Sequence, residues 1–320
     1  MKDISQESWR QVFIDALTAS YKTCKWLLSL MIPVSFGVLL LQYSGWLAKI
    51  SEFLNPLFHY LGLSGQSALV FLTSIFLNIY SAIAVITTLN LTPREITILA
   101  FMCLVSHNII VEVLILKKTG SNALRMLLIR LLTSIIGALI LNYLLPITPS
   151  LHHPITPSPL SPSHLVAQSP FLPELTHWSL NTLALSLKVV FFVTGLMILQ
   201  KSLEKLGVLS LVGKTLAPFL RIMGLPKDTA FLWLVANVLG LGYSAAIMFQ
   251  HADDGSISRK DNDLLNHHIA VCHSLLEDTL LFVAIGVPAG WITIPRLLAA
   301  TGIVWTVRLF SSAKPSNSEI

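Results

Sequence analysis

The chain has 320 residues, of which 12% are charged and 54% hydrophobic, and its formal net charge is +5. An average soluble protein has about 25% charged residues, so this composition excludes an ordinary soluble enzyme. Residues 53–93 contain no Asp, Glu, Lys or Arg. This uncharged stretch is longer than the roughly 20 residues that are needed to cross a bilayer. No basic stripe with interleaved aromatics is present, which argues against a nucleic-acid partner. The sequence therefore predicts an all-α polytopic membrane protein embedded in the lipid bilayer.

Residues 1–145 form the first predicted unit. An amphipathic lead-in is followed by apolar segments that indicate a span, an interfacial helix, a segment centred on a Tyr-Ser pair and two more spans, over residues 26–43, 46–60, 67–89, 96–116 and 122–145. Asn78 and Ser81 supply backbone-capping chemistry inside the Tyr-Ser segment. We therefore expect a broken or re-entrant helix there, the alternative being an ordinary span that tolerates small residues.

Residues 146–177 are predicted to form an external linker. They contain half of the chain's 16 prolines and no Lys or Arg, and proline removes a backbone donor and disrupts a helix. His152, His153 and His164 raise the question of a metal-binding tract. Histidines beside prolines in a loop lack the neighbouring groups that orient metal ligands, so a plain linker is favoured.

Residues 178–320 form the second predicted unit, and its segments at 185–200, 206–223, 228–250, 262–285 and 291–310 follow the same order. Its motifs also repeat those of the first unit: Tyr-Ser-Ala at 80–82 recurs at 243–245, and Ser-His-Asn at 106–108 recurs as Cys-His-Ser at 272–274. Asn237, Gly240, Gly242 and Ser244 predict a second broken segment. The series of matches in order indicates an internal duplication.

The distribution of Lys and Arg distinguishes two topologies. If the Tyr-Ser segments cross fully, the units are parallel and basic loops fall on both sides of the membrane. If the segments return to their own side, each unit has three spans and the second unit is inverted. All but five of the 21 Lys and Arg then lie inside, leaving Lys49 and Arg94 outside and Arg130, Lys188 and Arg296 within spans. The sequence therefore predicts two inverted repeats with both termini in the cytoplasm.

Ionisable residues within the spans predict the functional site, because charge in hydrocarbon is costly and usually serves function. His107 and His273 lie near the middle of equivalent spans and are followed by carboxylates. Such a pair suits a proton relay or a cation site, and no particular metal is indicated. The candidate substrate or ion site comprises Asn78, Tyr80, Ser81, His107, Asn108, Glu112, Tyr243, Ser244, His273, Ser274, Glu277 and Asp278.

Two intramembrane ion pairs are also predicted. Depth along the spans, at about 1.5 Å per residue, places Arg296 level with Asp278 and Arg130 near Glu112. The simplest role of these pairs is structural: they neutralise buried charge and hold helices together.

These residues carry a family resemblance. The repeated interfacial helix, Gly-Leu, Tyr-Ser-Ala and His motif with a following acid resemble the membrane proteins with a nucleoside-recognition, or Gate, domain. That family includes the spore maturation proteins A and B, and related gates occur in ferrous-iron and concentrative nucleoside transporters. The resemblance covers residues 26–145 and 185–310 and implies a gate-forming permease core.

Three function classes follow, in order of preference. The first is a secondary transporter in the bacterial cytoplasmic (inner) membrane, proton-coupled, for a nucleoside-like solute or a cation at a midplane site between the repeats. The second is a structural or assembly membrane protein, as the spore maturation relatives suggest. An intramembrane enzyme is least favoured, since HExxH and GxSxG are absent from the sequence. We predict no cofactor, and a homo-oligomer or a partner membrane subunit stays open.

Overall fold

The computed structural model describes residues 8–146, 171–253 and 255–312, and the regular elements in these ranges are helices. Before the linker they are α1 (Trp9–Tyr43), α2 (Trp46–His59), α3 (Ser67–Phe76), α4 (Ile79–Thr88), α5 (Pro93–Ser106), α6 (Ile109–Lys118) and α7 (Ala123–Leu144). After it they are α8 (Phe171–Lys205), α9 (Val208–Ile222), α10 (Ala230–Val238), α11 (Leu241–Asp253), α12 (Arg259–Ile269), α13 (Glu277–Val283) and α14 (Ala289–Ser312).

Within the described residues, five helical stretches are long and apolar enough to cross a membrane: Trp9–Tyr43, Pro93–Lys118, Ala123–Leu144, Phe171–Leu203 and Ala289–Phe310. The protein is therefore an all-helical polytopic membrane protein, as its composition predicts. The sixth predicted span, residues 262–285, is not one continuous helix. Residues 270–276 separate α12 from α13, whereas only residues 107 and 108 separate α5 from α6, and neither α12 nor α13 has the roughly 20 residues that a bilayer crossing requires.

Helices α1 and α8 are the longest, with 35 residues each. At 1.5 Å per residue each measures about 50 Å, so both extend beyond a hydrocarbon layer of about 30 Å. They pack along each other: the hydroxyls of Ser20 and Thr194 lie 2.5 Å apart, and Trp178 Nε1 donates to Ser35 Oγ at 2.8 Å.

Helix α8 begins at Phe171, inside the stretch predicted to be linker. Pro173 is tolerated there because an N–H in the first turn has no acceptor within the helix. The non-helical prediction for residues 146–177 is therefore wrong from residue 171 onward. The linker histidines at positions 152, 153 and 164 lie outside the described residues.

The two short helices predicted to be interfacial, α2 and α9, begin and end in the same way. Each follows a left-handed glycine, Gly45 or Gly207, and each ends two or three residues before another, Gly62 or Gly224. Glycine adopts this conformation without the clash that a Cβ atom causes, so it ends a helix and redirects the chain. Gly45 and Gly207 are separated by the same number of residues as Gly62 and Gly224. The repeat in the sequence is therefore also a repeat in backbone conformation.

The Tyr-Ser segments are broken helices in both halves, as predicted. Asn78 has extended backbone between α3 and α4, and its Oδ1 accepts a hydrogen bond from Ser81 N–H at 2.9 Å. In the second half α10 ends at Val238, and left-handed Gly240 precedes α11. Helix α4 is buried over consecutive residues 79–86, which places the first break inside protein, where irregular backbone is tolerated.

A second pair of breaks was not predicted. Asn108 and Ser274 have φ of 45° and 49° and are the non-glycine residues with positive φ in the described part of the chain. They occupy equivalent positions of the repeat, directly after His107 and His273. Asn108 separates α5 from α6, and Ser274 lies in the non-helical stretch between α12 and α13. Four helix breaks thus lie in matched positions in the two halves.

Candidate functional site

The helix breaks surround a cavity of about 400 Å³. Its lining includes eight of the predicted site residues, from both halves of the chain: Asn78, Tyr80, His107, Asn108, Glu112, Ser274, Glu277 and Asp278. His273 is fully buried next to this cavity. The structure therefore gathers most of the predicted site around one space.

Backbone hydrogen bonds between the breaks hold them together. Asn108 N–H donates to the carbonyl of Ser74 at the end of α3, at 2.9 Å. In the second half Ser274 N–H donates to the carbonyl of Ala236 in α10, at 3.0 Å. Both bonds join the end of the first half-helix of a Tyr-Ser segment to the residue after the histidine. In each half, one break thus supplies the hydrogen-bond partner for a backbone group that the other break leaves unpaired. Unpaired backbone groups are costly in a low-dielectric environment.

The two buried arginines stabilise the helix breaks at Asn108 and Ser274. Arg130 Nε and Nη2 donate to the carbonyls of Val105 and His107, both at 2.8 Å. Arg296 does the same to Val271 and His273, at 3.5 and 2.5 Å. A guanidinium is well suited to this because it presents several donors in a fixed plane. These carbonyls have no helical N–H partner beyond the break, so each arginine replaces the missing helical hydrogen bonds.

Glu112 is the centre of the charged cluster. Its Oε2 lies 2.6 Å from Arg130 Nη2, which gives the predicted Arg130 and Glu112 neighbours a direct ion pair. Its Oε1 lies 3.0 Å from His107 Nε2, and Oε2 lies 3.3 Å from His273 Nε2. One carboxylate of the first half therefore contacts the histidines of both halves, whose ring centroids are 5.2 Å apart.

The tautomers of both histidines follow from their other ring nitrogens. His107 Nδ1 lies 3.0 Å from the carbonyl of Cys103, and His273 Nδ1 lies 2.7 Å from that of Ile269. A carbonyl only accepts, so each Nδ1 carries a proton. In a neutral ring the lone pair of Nε2 then faces the lone pairs of the Glu112 carboxylate. A cation, either a proton or a metal ion, is required between them to make these contacts attractive.

The second predicted ion pair is not formed. Among the described residues Arg296 has no ion pair with Asp278, and its hydrogen bonds go to the two carbonyls at the break. Asp278 Oδ2 instead lies 3.8 Å from His107 Nε2, across the two halves. The depth estimate assumed a continuous helix over residues 262–285, and the non-helical backbone between α12 and α13 displaces Asp278 from its expected level.

A second contact joins the halves on the cavity wall. Tyr80 OH donates to Glu277 Oε1 at 2.5 Å, linking α4 to the start of α13. The cavity is also lined by Trp26 from α1 and by Gln200 from α8, neither of which was a predicted site residue. Gln200 Nε2 donates to the carbonyl of Val238 at 3.2 Å, at the end of α10. A polar glutamine within an apolar span was the signal available for it.

Two predicted residues, Ser81 and Ser244, have other positions. Ser81 is buried and its N–H is capped by Asn78, but it does not line the cavity. Ser244 Oγ donates to the carbonyl of Leu241 at 3.1 Å, within its own helix. The side chain of Tyr243 lies outside the described part of the structure.

Comparison with known proteins supports the membrane assignment. Residues 24–147 match the model of the Gate family, described as nucleoside recognition. The chain is 27% identical over 310 residues to the "Uncharacterized membrane protein YvoD" of Bacillus subtilis (strain 168), covering 96% of this chain and 97% of that protein. No solved structure gives a significant match. The chain thus resembles the Gate family over residues 24–147 and resembles a membrane protein along nearly its whole length.

Proposed function

We propose that the protein is the core of a cation-dependent secondary transporter whose site lies between its two halves. One observation carries this proposal: each half supplies a carboxylate to a side chain of the other, Glu112 to His273 and Glu277 to Tyr80, around a cavity at four helix breaks. Broken helices with polar residues at a repeat interface are the usual way in which alternating access is built.

An inverted arrangement of the repeats supports the same function. It places most Lys and Arg on one side of the membrane, with both termini in the cytoplasm of a bacterial cell and the linker outside. The stretch from α12 to α13 then forms the second of the three crossings of the second unit, as α5 and α6 do in the first. Matching breaks in inverted units converge on one pseudo-two-fold axis, which brings the two histidines together.

The solute site is the cavity beside the charged cluster. Its volume of about 400 Å³ falls in the range of ligand pockets, roughly 300–1,000 Å³. Tyr80, Glu277 and Gln200 offer both donors and acceptors on its wall, and Trp26 offers an aromatic surface. Nucleosides are the first solutes to test because the matched family is described by their recognition, and divalent cations are the second because of the histidines.

Reconstitution into liposomes tests the proposal. Purified protein is expected to take up at least one solute from a panel of nucleosides and divalent cations above the level of empty liposomes, driven by an imposed proton or cation gradient. A matched preparation of Glu277→Gln, which removes a charge from the cavity wall, is expected to lower that uptake. Folded, inserted protein with the permeability of empty liposomes for the whole panel would contradict transport and favour the alternative, a structural or assembly membrane protein.

A further inference from the structure

We propose that His107, Glu112 and His273 bind a first-row divalent transition-metal ion, with Asp278 as a fourth ligand; this rests on the proposed function, whose cation it identifies. The ligand atoms of the first three residues lie within 4.8 Å of one another, and all three residues are buried. Donors at about 2.1 Å from a tetrahedral ion are about 3.4 Å apart. The contacts of Glu112 Oε1 with His107 Nε2, at 3.0 Å, and of Glu112 Oε2 with His273 Nε2, at 3.3 Å, are within a few tenths of an ångström of that spacing, so both carboxylate oxygens face the ion.

Two buried atoms in the cluster point to a missing ligand. Within the described part of the chain, His273 Nε2 and Asp278 Oδ2 are shielded from solvent and make no hydrogen bond, although each lies near another member of the cluster, Glu112 at 3.3 Å and His107 at 3.8 Å. His273 is 0% exposed and Asp278 is 5% exposed. An unsatisfied buried polar atom is destabilising, so two of them in one cluster need an explanation.

The groups behind the ligands are those that a metal site needs. Both histidines donate Nδ1–H to a backbone carbonyl, which fixes each ring and leaves the Nε2 lone pair directed at Glu112. Arg130 holds the Glu112 carboxylate through its 2.6 Å ion pair. In this arrangement a metal ion converts two repulsive contacts between lone pairs into coordination bonds.

The donor set selects the class of ion. Two imidazole nitrogens with carboxylate oxygens suit zinc and other first-row divalent ions, whereas calcium and magnesium prefer oxygen ligands alone. The charge of Glu112 is shared with Arg130, while Glu277 and Asp278 supply two further carboxylates along the same cavity. His107, Glu112 and Asp278 also line the cavity, so an ion in the cavity can reach three of the four ligands.

Metal binding by the full-length protein in detergent, after removal of bound metal with a chelator, tests the assignment. Titration with Co²⁺ is expected to give visible absorption bands at one ion per chain, and added Zn²⁺ is expected to displace the Co²⁺ and abolish the bands. His107→Gln and His273→Gln are each expected to lose more affinity than the roughly 10–100-fold typical of an outer-shell change. A cooperative thermal unfolding transition of each variant, measured without metal, confirms that it is folded.

Two controls exclude binding elsewhere. His268→Gln removes a histidine that is as buried as His273 but whose Nδ1 accepts from Trp233 Nε1, and its affinity is expected to be unchanged. The double variant of the linker histidines, His152→Gln with His153→Gln, is also expected to bind normally.

The outcomes separate this inference from the proposed function. Loss of Co²⁺ and Zn²⁺ binding in the two site variants alone supports the metal site. Equal binding by folded site variants, or no binding by the wild type, overturns it. If the wild type binds no metal but still shows gradient-driven uptake in liposomes, the metal assignment fails while the transporter proposal stands, and the proton is the cation between the histidines and Glu112.

Discussion

The Arg130 and Glu112 pair should be strongly coupled in stability, and the Arg296 and Asp278 pair should not. Arg130 is completely buried, donates hydrogen bonds to two carbonyls and forms an ion pair with Glu112. Arg130→Met leaves the Glu112 carboxylate buried without its partner, which should cost about 3–5 kcal/mol. Glu112→Gln leaves Arg130 with its carbonyls only and should cost slightly less. In the double variant both charges are absent, so its loss should fall short of the sum.

The coupling energy of the first pair is expected to be about 2–3 kcal/mol, near the upper end for contacting residues. For Arg296→Met with Asp278→Asn it should be no more than about 0.5 kcal/mol, because the structure does not join these side chains. Both cycles are measured by reversible unfolding in mixed micelles with increasing SDS, with a chelator present to exclude any metal contribution. Equal coupling in the two cycles, or additivity in the first, would refute the arrangement described here.

Three further predictions concern the breaks, the cavity wall and the topology. Asn108→Ala should lower the free energy of unfolding by about 1 kcal/mol more than Asn108→Gly, because a Cβ-bearing residue is strained at positive φ; the same unfolding assay measures this. Tyr80→Phe should reduce uptake by liposomes while lowering stability by no more than about 3 kcal/mol, since it removes one hydrogen bond, to the Glu277 carboxylate. An impermeant thiol reagent added to intact cells should modify a cysteine placed at His152 but not one placed at Lys118, and the reverse pattern would rule out the inverted topology.

The helical membrane fold was predictable because its signal is local. Long apolar stretches and the scarcity of charge define the spans regardless of tertiary contacts. The breaks at Asn78 and Gly240 were also predictable, since both residue types favour non-helical backbone by themselves. The cytoplasmic position of the termini stays a prediction.

The breaks at Asn108 and Ser274 were not predictable from local sequence. Residues 98–105, shortly before Asn108, are apolar and compatible with a continuous helix, and the break depends on distant partners. Arg130 takes the carbonyls of residues 105 and 107, and the carbonyl of Ser74 accepts the N–H of Asn108. Tertiary contacts of this kind override helix propensity.

The site was predictable in its membership but less so in its pairing. The repeat placed His107 and His273 in equivalent positions, and convergence of inverted units predicted that they would meet. The contact of both with Glu112 required knowledge of the second breaks, because these orient the rings and displace Asp278 from Arg296. Depth along an assumed continuous helix therefore identified one arginine partner and not the other.

The most direct test of one site shared by both halves is gradient-driven uptake by liposomes containing single histidine variants, using the solute identified for the wild type. Since Glu112 contacts both rings, His107→Gln and His273→Gln should each reduce uptake to the level of empty liposomes, whereas His268→Gln should keep wild-type uptake. Full uptake by both folded site variants would contradict the account, because the two histidines would then be structural and the shared site would not carry the function.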